Sequence, residues 1–467
     1  MLRTATAPWR AGAAALGLWM AGCASLQSGP REPVDDAPPA PLTWSVAGAS
    51  ASADAAVLDA WWRSFDDALL SALIAEADAR NTDVRAAQAR VRQAQALRTQ
   101  AASALAGVLS AGASAQASRR EGQGGSTRSV GTALDAGWSP DLSGGVGAAV
   151  AAADADVEAS RALLAQTRAA VTAELALAYV DLRSAQQRLA IARANLAAQE
   201  ETLQISRWRA QAGLVSALDS DQAESAAAQT RAQLPALANS IDQNAHAIAL
   251  LAGRTPAELR DALREPAPLP QPRAELPLSV PAEVLRRRPD VIAAEARVRA
   301  AAARTAAADA ERLPSLSLGG SIGLNAVTLS GLSPGAGLAS LAASVSLPLL
   351  DGGRIRAQVR AQEAAWDSAR SDYRATVLGA LRDVEDALSS IAAVREQRAQ
   401  LATALAAARR AAELADTRYA AGLVDFLTVL TTRRTLLAIE DSAAGAAAQL
   451  AGQQVRLVVA LGGGWTP

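Results

Sequence analysis

Reactive and metal-binding side chains are nearly missing from this chain. One cysteine, Cys23, and one histidine, His246, occur in 467 residues. A disulfide within the chain needs two cysteines, and a Cys/His zinc centre needs several such ligands, so both are excluded. A nucleophilic triad would have only His246 as its base, in an Ala-rich stretch that reads as an ordinary helix surface. Lysine is absent, and all 45 cationic side chains are Arg. Phosphate loops of the usual kind and Schiff-base chemistry thereby lose their lysine. A surplus of charge is also lacking: the formal net charge is −1, which gives no electrostatic footprint for nucleic acid. Aromatic residues make up 3% of the chain although half of it is hydrophobic. The apolar content is therefore mostly Ala, Leu and Val, a composition suited to long helices packed at close range. No cofactor, metal or catalytic residue is expected from this inventory. The pattern Gly319-Gly320-Ser321-Ile322-Gly323 fits a nucleophile elbow by spelling alone. It lies in an alternating strand, and no histidine follows it.

The N-terminus carries a targeting signal. Arg3 and Arg10 precede a short apolar run, which ends in Met20-Ala21-Gly22-Cys23. The run is shorter than the ~20 residues a bilayer-spanning helix needs. The ending resembles a bacterial lipobox, which implies a signal peptide over residues 1–22 and lipid on Cys23. Two or three acyl chains there would anchor stably where one does not. Residues 23–60 are Pro-, Ala- and Ser-rich and read as a lipidated extended tether.

An internal duplication organises the rest. Asp83, Val84, Arg90, Val91, Arg92, Leu109, Ser110, Gly112 and Ser114 recur 207 residues later. Their counterparts are Asp290, Val291, Arg297, Val298, Arg299, Leu316, Ser317, Gly319 and Ser321. Farther on, Ala212-Gly213-Leu214-Val215 recurs as Ala421-Gly422-Leu423-Val424. Two halves of about 200 residues share one layout, a period far longer than that of a solenoid repeat. Each half reads as helix, two strands, long helix, turn and helix. Leu109, Ala111, Ala113, Ala115 and Ala117 alternate with polar or tiny residues, as do the segments around 132–138, 316–324 and 338–347. Strands of ~10 residues with one apolar face fit a membrane β-barrel, and alternation alone fits a soluble hairpin as well. Four strands cannot close a barrel, so such a chain must oligomerise. Residues 146–210 contain no Pro and only Gly147. Leu175, Leu182, Leu189, Leu196 and Leu203 recur every seven residues, beside a second row of Val157, Leu164, Val171 and Ala178. Val377, Val384 and Ile391 repeat the pattern in the second half, a coiled-coil seam in each. Pro235 is expected to kink the first return helix.

The segmentation that follows is 61–107 first-repeat helices, 108–141 first hairpin and 142–254 first long helical hairpin. A segment at 255–285, equatorial by the family resemblance given next, leads to a helix at 286–313, a second hairpin at 314–350 and a second long helical hairpin at 351–460. Residues 461–467 form a C-terminal tail, equatorial by the same resemblance.

Several motifs carry a family resemblance. Trp61-Trp62, Phe65 and Asp67 precede Leu69-Leu70; Arg287-Arg288-Pro289-Asp290-Val291 opens the second repeat; and Leu461-Gly462-Gly463-Gly464-Trp465 closes the chain. In order and spacing these resemble the TolC-like outer membrane factors, in the NodT/OprM-like lipoprotein branch that serves RND-type efflux pumps. The resemblance implies an α+β membrane protein: four strands per chain and twelve per homotrimer in the outer membrane, continued by a helical coiled-coil barrel in the periplasm. It implies passive conduction of small molecules, a periplasmic adaptor and an inner-membrane pump as partners, and no cofactor beyond the lipid on Cys23. It places adaptor docking at Gly213, Leu214, Val215, Gly422, Leu423 and Val424. The gate candidates are Asp219, Asp425, Leu427, Thr428, Leu430 and Thr431, with Arg207, Arg209 and Arg418 near enough to pair with the two carboxylates. Two other readings remain: an exit duct for a protein-secretion exporter, and a non-conducting coiled-coil lipoprotein of the periplasm.

Overall fold

The computed structural model describes Trp44 and residues 58–119, 126–271, 281–327 and 337–465. Cys23, the signal peptide and most of the tether lie outside the described residues. A 3₁₀ turn at Trp61–Phe65 leads into α1 (Ala68–Arg80) and α2 (Thr82–Ser103), followed by β1 (Val108–Arg119) and β2 (Ser126–Trp138). Next come α3 (Gly145–Gln211), α4 (Ala217–Leu251), α5 (Pro256–Arg264) and α6 (Pro281–Arg287). The second half supplies α7 (Pro289–Ala310), β3 (Ser315–Ala326), β4 (Gly337–Ser346), α8 (Arg354–Ala420) and α9 (Phe426–Ala460).

The duplication is visible in the lengths. Helices α3 and α8 each have 67 residues, about 100 Å at 1.5 Å per residue. Helices α4 and α9 each have 35, and α2 and α7 each have 22. Pro235 lies within an uninterrupted α4.

The described residues form two compact units. The first comprises Arg90–Ser160 and Ala293–Arg374 and contains the sheet. Its strands run in the order β1-β2-β3-β4, every neighbour antiparallel. The two halves join where β2 pairs with β3, from Val130↔Ala326 to Trp138↔Leu318. Leu109, Leu134, Ile322 and Leu341 are exposed, since no described residue covers that apolar face. Ser321 sits in β3, where its Oγ lies 2.8 Å from Ser340 Oγ, so the elbow-like spelling is a strand. Beside the sheet, Arg98 pairs with Asp154 at 2.8 Å and Arg299 with Glu158 at 2.6 Å, between the short helices and α3. Among the described residues no helix is long and apolar enough to cross a membrane.

The second unit comprises the described residues up to Ala89, with Arg161–Ile292 and Ala375–Pro467. Its core takes Trp61, Leu70 and Leu73 from the N-terminal turn and α1, Leu175, Tyr179 and Leu182 from α3, Ile248 from α4, and Leu461. The heptad leucines of α3 are all buried, as are Val377, Val384 and Ile391 of α8. These seams are satisfied within one chain.

The family-like motifs hold this core together. Asp67 caps α1 by accepting from Leu70 N at 2.9 Å, and its other oxygen accepts from the Tyr179 hydroxyl at 2.7 Å. Arg183 donates to Tyr179 Oη at 2.9 Å and to the Glu265 carbonyl at 2.6 Å. Burial, with the hydrogen bond to Asp67, pushes the Tyr179 hydroxyl up to about 12. Arg288, only 9% exposed, forks onto Asp290 at 3.0 and 2.6 Å. It also donates to Asp383 at 3.1 Å and to the Ala460 carbonyl at 3.1 Å. Arg287 reaches Asp59 at 2.7 Å. The Arg-Arg-Pro-Asp run is therefore a junction of α6, α7, α8 and α9. At the C-terminus, a Cβ on Gly463 would stand 2.5 Å from Val458 Cγ1 and 2.8 Å from the Leu58 carbonyl, so only glycine fits.

Candidate functional site

The two helix reversals have the same backbone construction. Gly213 has φ +70° and Gly422 φ +73°, values that L side chains rarely adopt. The Gly213 N–H donates to the Ala210 carbonyl at 3.0 Å, and the Leu214 N–H donates to the Arg209 carbonyl at 2.9 Å. In the second turn, Gly422 donates to Tyr419 at 3.0 Å and Leu423 to Arg418 at 2.8 Å. These are Schellman closures, which satisfy the last carbonyls of α3 and α8. A Cβ at either glycine would meet nothing within 4 Å, so the conformation and not packing demands glycine.

The closure leaves one leucine projecting from each turn. Leu214 is 74% exposed and Leu423 73%. Val215 and Val424 are half-buried, and Val424 packs on the core beneath. That core combines Leu203, Ala223 and Ala226 of the first hairpin with Ala415, Tyr419, Phe426, Val429 and Leu430 of the second. The Tyr419 and Phe426 ring centroids lie 5.9 Å apart, and the Arg209 guanidinium lies 4.5 Å over the Tyr419 ring. Arg433 grips Asp416 through two hydrogen bonds of 3.1 and 2.9 Å. Three polar atoms inside this region, Gln199 Oε1, Ser206 Oγ and the Tyr419 hydroxyl, are buried without a hydrogen-bond partner among the described residues.

The gate candidates separate into distinct roles. Asp425 is the N-cap of α9: its Oδ1 accepts from Thr428 N at 2.9 Å and from Thr428 Oγ1 at 2.5 Å. The Thr428 side-chain bond, then the backbone one, holds its carboxyl below the usual range. Asp219 lies in the first turn of α4, half-buried, where the helix dipole favours a carboxylate. Leu427, Thr428 and Thr431 are exposed. Leu430 is not: at 7% exposure it belongs to the core of the turns. Phe426, Val429, Leu430 and Arg433 follow the i, i+3, i+4, i+7 spacing of the buried stripe, while Leu427 lies about 100° away. Leu430 is thereby removed from the pore-facing set. The expected arginine pairs also differ within the chain. Arg207 binds Glu224 at 2.8 Å and Arg209 stacks on Tyr419, so neither holds Asp219 or Asp425.

The sequence reading missed the cap at Asp425, although Asp425-Phe426-Leu427-Thr428 has the spacing of one. It also missed Asp383, Tyr179 and Arg183, whose distant partners lie 82 to 112 residues away along the chain, a separation no local pattern records.

A sheet with one apolar and one hydroxyl-rich face, in a chain whose paired 67-residue helices reverse at exposed leucines, defines the subunit of an outer-membrane channel. Comparison with known proteins agrees. The chain matches the family "Outer membrane efflux protein" over residues 73–254 and 280–463. It is 32% identical to Nodulation protein T of Rhizobium leguminosarum bv. viciae, over 98% of this chain and 94% of that one. It is also 32% identical to outer membrane protein OprJ of Pseudomonas aeruginosa, over 93% and 92%. Among solved structures, the outer-membrane channel OprN superposes with a TM-score of 0.85 at 34% identity, over 92% of this chain and 98% of that one. The protein belongs to the outer membrane efflux protein family. It is an outer-membrane channel component of a tripartite efflux system, spanning the outer membrane and extending into the periplasm.

Proposed function

We propose that three copies close a twelve-stranded barrel and conduct small molecules passively. A periplasmic adaptor delivers them from an RND-type inner-membrane pump. The observation that carries this reading is the open sheet: β1 and β4 are its outer strands, each with one edge unpaired within the chain. In hydrocarbon an unpaired strand edge costs several kcal/mol per backbone group. The exposed apolar face supports placing this sheet there, where pairing with other copies satisfies the edges. Three copies of four strands give twelve, an even number as antiparallel closure requires. A coiled-coil scaffold without a pore has no use for such a sheet.

In this reading Leu214 and Leu423, with their glycines and valines, form the adaptor-facing surface, and the exposed leucines act as its apolar anchors. Asp219, Asp425, Leu427, Thr428 and Thr431 surround the closed end. Cys23 carries the lipid, and Trp44, between it and the first helices in sequence, belongs to the core. Passive conduction is tested by reconstituting the mature protein in planar bilayers, with mass spectrometry of its N-terminus on the same preparation. The expected result is discrete channel currents and a diacylglyceryl-modified Cys23. A lipid-modified protein that never conducts contradicts the channel reading. Currents from a chain with a free Cys23 thiol contradict only the lipid.

A further inference from the structure

One carboxylate stands out on the hydroxyl-rich face of the sheet. The register places Asp135 of β2 opposite Ser110 of β1 and Ser321 of β3, and Ser321 opposite Ser340 of β4. Directly opposed residues share a face. The contacts agree: Ser110 Oγ lies 3.4 Å from the Asp135 carbonyl, and Ser321 and Ser340 touch through their hydroxyls at 2.8 Å. The row therefore reads hydroxyl, carboxylate, hydroxyl, hydroxyl across the sheet. The opposite face carries Leu134, Ile322 and Leu341 and must meet lipid. Asp135 is exposed, and its carboxylate has no hydrogen bond or ion pair among the described residues. Every other described side chain on this face is uncharged: Ser, Gly, Ala, Gln, Asn, Leu or Val. Three residues from the end of β2, it sits about 10 Å inside the barrel from the end that continues into α3.

We infer that Asp135 sets the charge selectivity of the barrel lumen, a ring of three carboxylates favouring cations over anions. The inference rests on the trimeric closure proposed above. It invokes the field of a fixed charge and not a site that holds an ion. Twelve strands ~4.8 Å apart and tilted ~40° enclose a backbone radius of about 12 Å. The carboxylates then stand about 9 to 10 Å from the axis. That distance is close to the ~8 Å Debye length at 0.15 M salt and well inside the ~30 Å length at 0.01 M. Three unit charges at that range enrich monovalent cations on the axis about two-fold at 0.15 M and about five-fold at 0.01 M. At 1 M the effect vanishes. Among the described residues the rest of this face is uncharged and offers nothing to oppose it.

The test is the reversal potential of reconstituted channels in KCl gradients at about 0.01 M and about 1 M. Parent, Asp135→Asn and Asp135→Arg proteins are compared, each first sized in detergent. Reversal potential does not depend on how many channels are open, so a tightly closed periplasmic end leaves the reading intact. The expected result is a K⁺ over Cl⁻ preference that falls at least about two-fold in Asp135→Asn at low salt, falls further in Asp135→Arg, and converges with the parent at high salt. Identical low-salt potentials in parent and Asp135→Asn, from proteins of equal oligomeric mass, would overturn the selectivity role alone. A parent that is monomeric and non-conducting would overturn the closure beneath it.

Discussion

Asp425 combines two duties that different substitutions can separate. It caps α9 through Thr428, and it places a charge beside the exposed Leu427 and Thr431. Asparagine caps a helix about as well as aspartate does, whereas alanine does not. Asp425→Asn is therefore expected to keep the closed-state conductance of the parent while lowering cation preference. Asp425→Ala is expected to lower cation preference and also raise conductance, because the start of α9 frays. Single-channel recording distinguishes the two, and Asp83→Ala, far from the turns, should match the parent in both. Raised conductance in Asp425→Asn would show that charge, and not the cap, keeps the end closed. The glycine-leucine pairs contribute in another way. The left-handed glycines turn the chain, and the leucines after them are left largely exposed.

At the scale of elements, the buried seam of α3 supplies stability and the turns supply adaptability. Leu182 is wholly buried, so Leu182→Ala is expected to cost about 2–5 kcal/mol. Leu214→Ala, on a side chain 74% exposed, is expected to cost less than about 0.5 kcal/mol. Thermal melts of the two variants measure the difference, and equal losses would place Leu214 in a packed core. The turn region also holds three buried polar atoms without partners among the described residues. Each such atom costs of order 1–3 kcal/mol. Much of this was legible beforehand. Period-two alternation marked the strands, sevenfold leucines marked the face α3 buries, and Gly213 and Gly422 marked the reversals. Leu430 was not separated from Leu427, because both are leucines near a turn. Only the stripe shared with Phe426 and Val429 fixes which one faces inward. The Arg288 junction with Asp383 was beyond reach, since it depends on how four helices meet and not on any periodicity.

For the whole molecule, duplication within the chain accounts for the architecture. Each half alone supplies a two-stranded hairpin, and β2 pairing with β3 fuses the halves into one sheet that still has two open edges. Seams satisfied within one chain leave the sheet edges as the strongest demand for partners. Closure that meets this demand predicts that β1 of one copy lies beside β4 of the next, antiparallel to it. Cysteine pairs drawn from Ala111, Ala113 and Ala115 in β1 and from Ala339, Leu341 and Ala343 in β4 test it directly. All six side chains lie on the apolar face. Oxidation of the purified protein should give covalent dimers and trimers in at least one register, with the ladder ending at three chains. Monomers in every register, or a ladder that continues past three, would contradict the account.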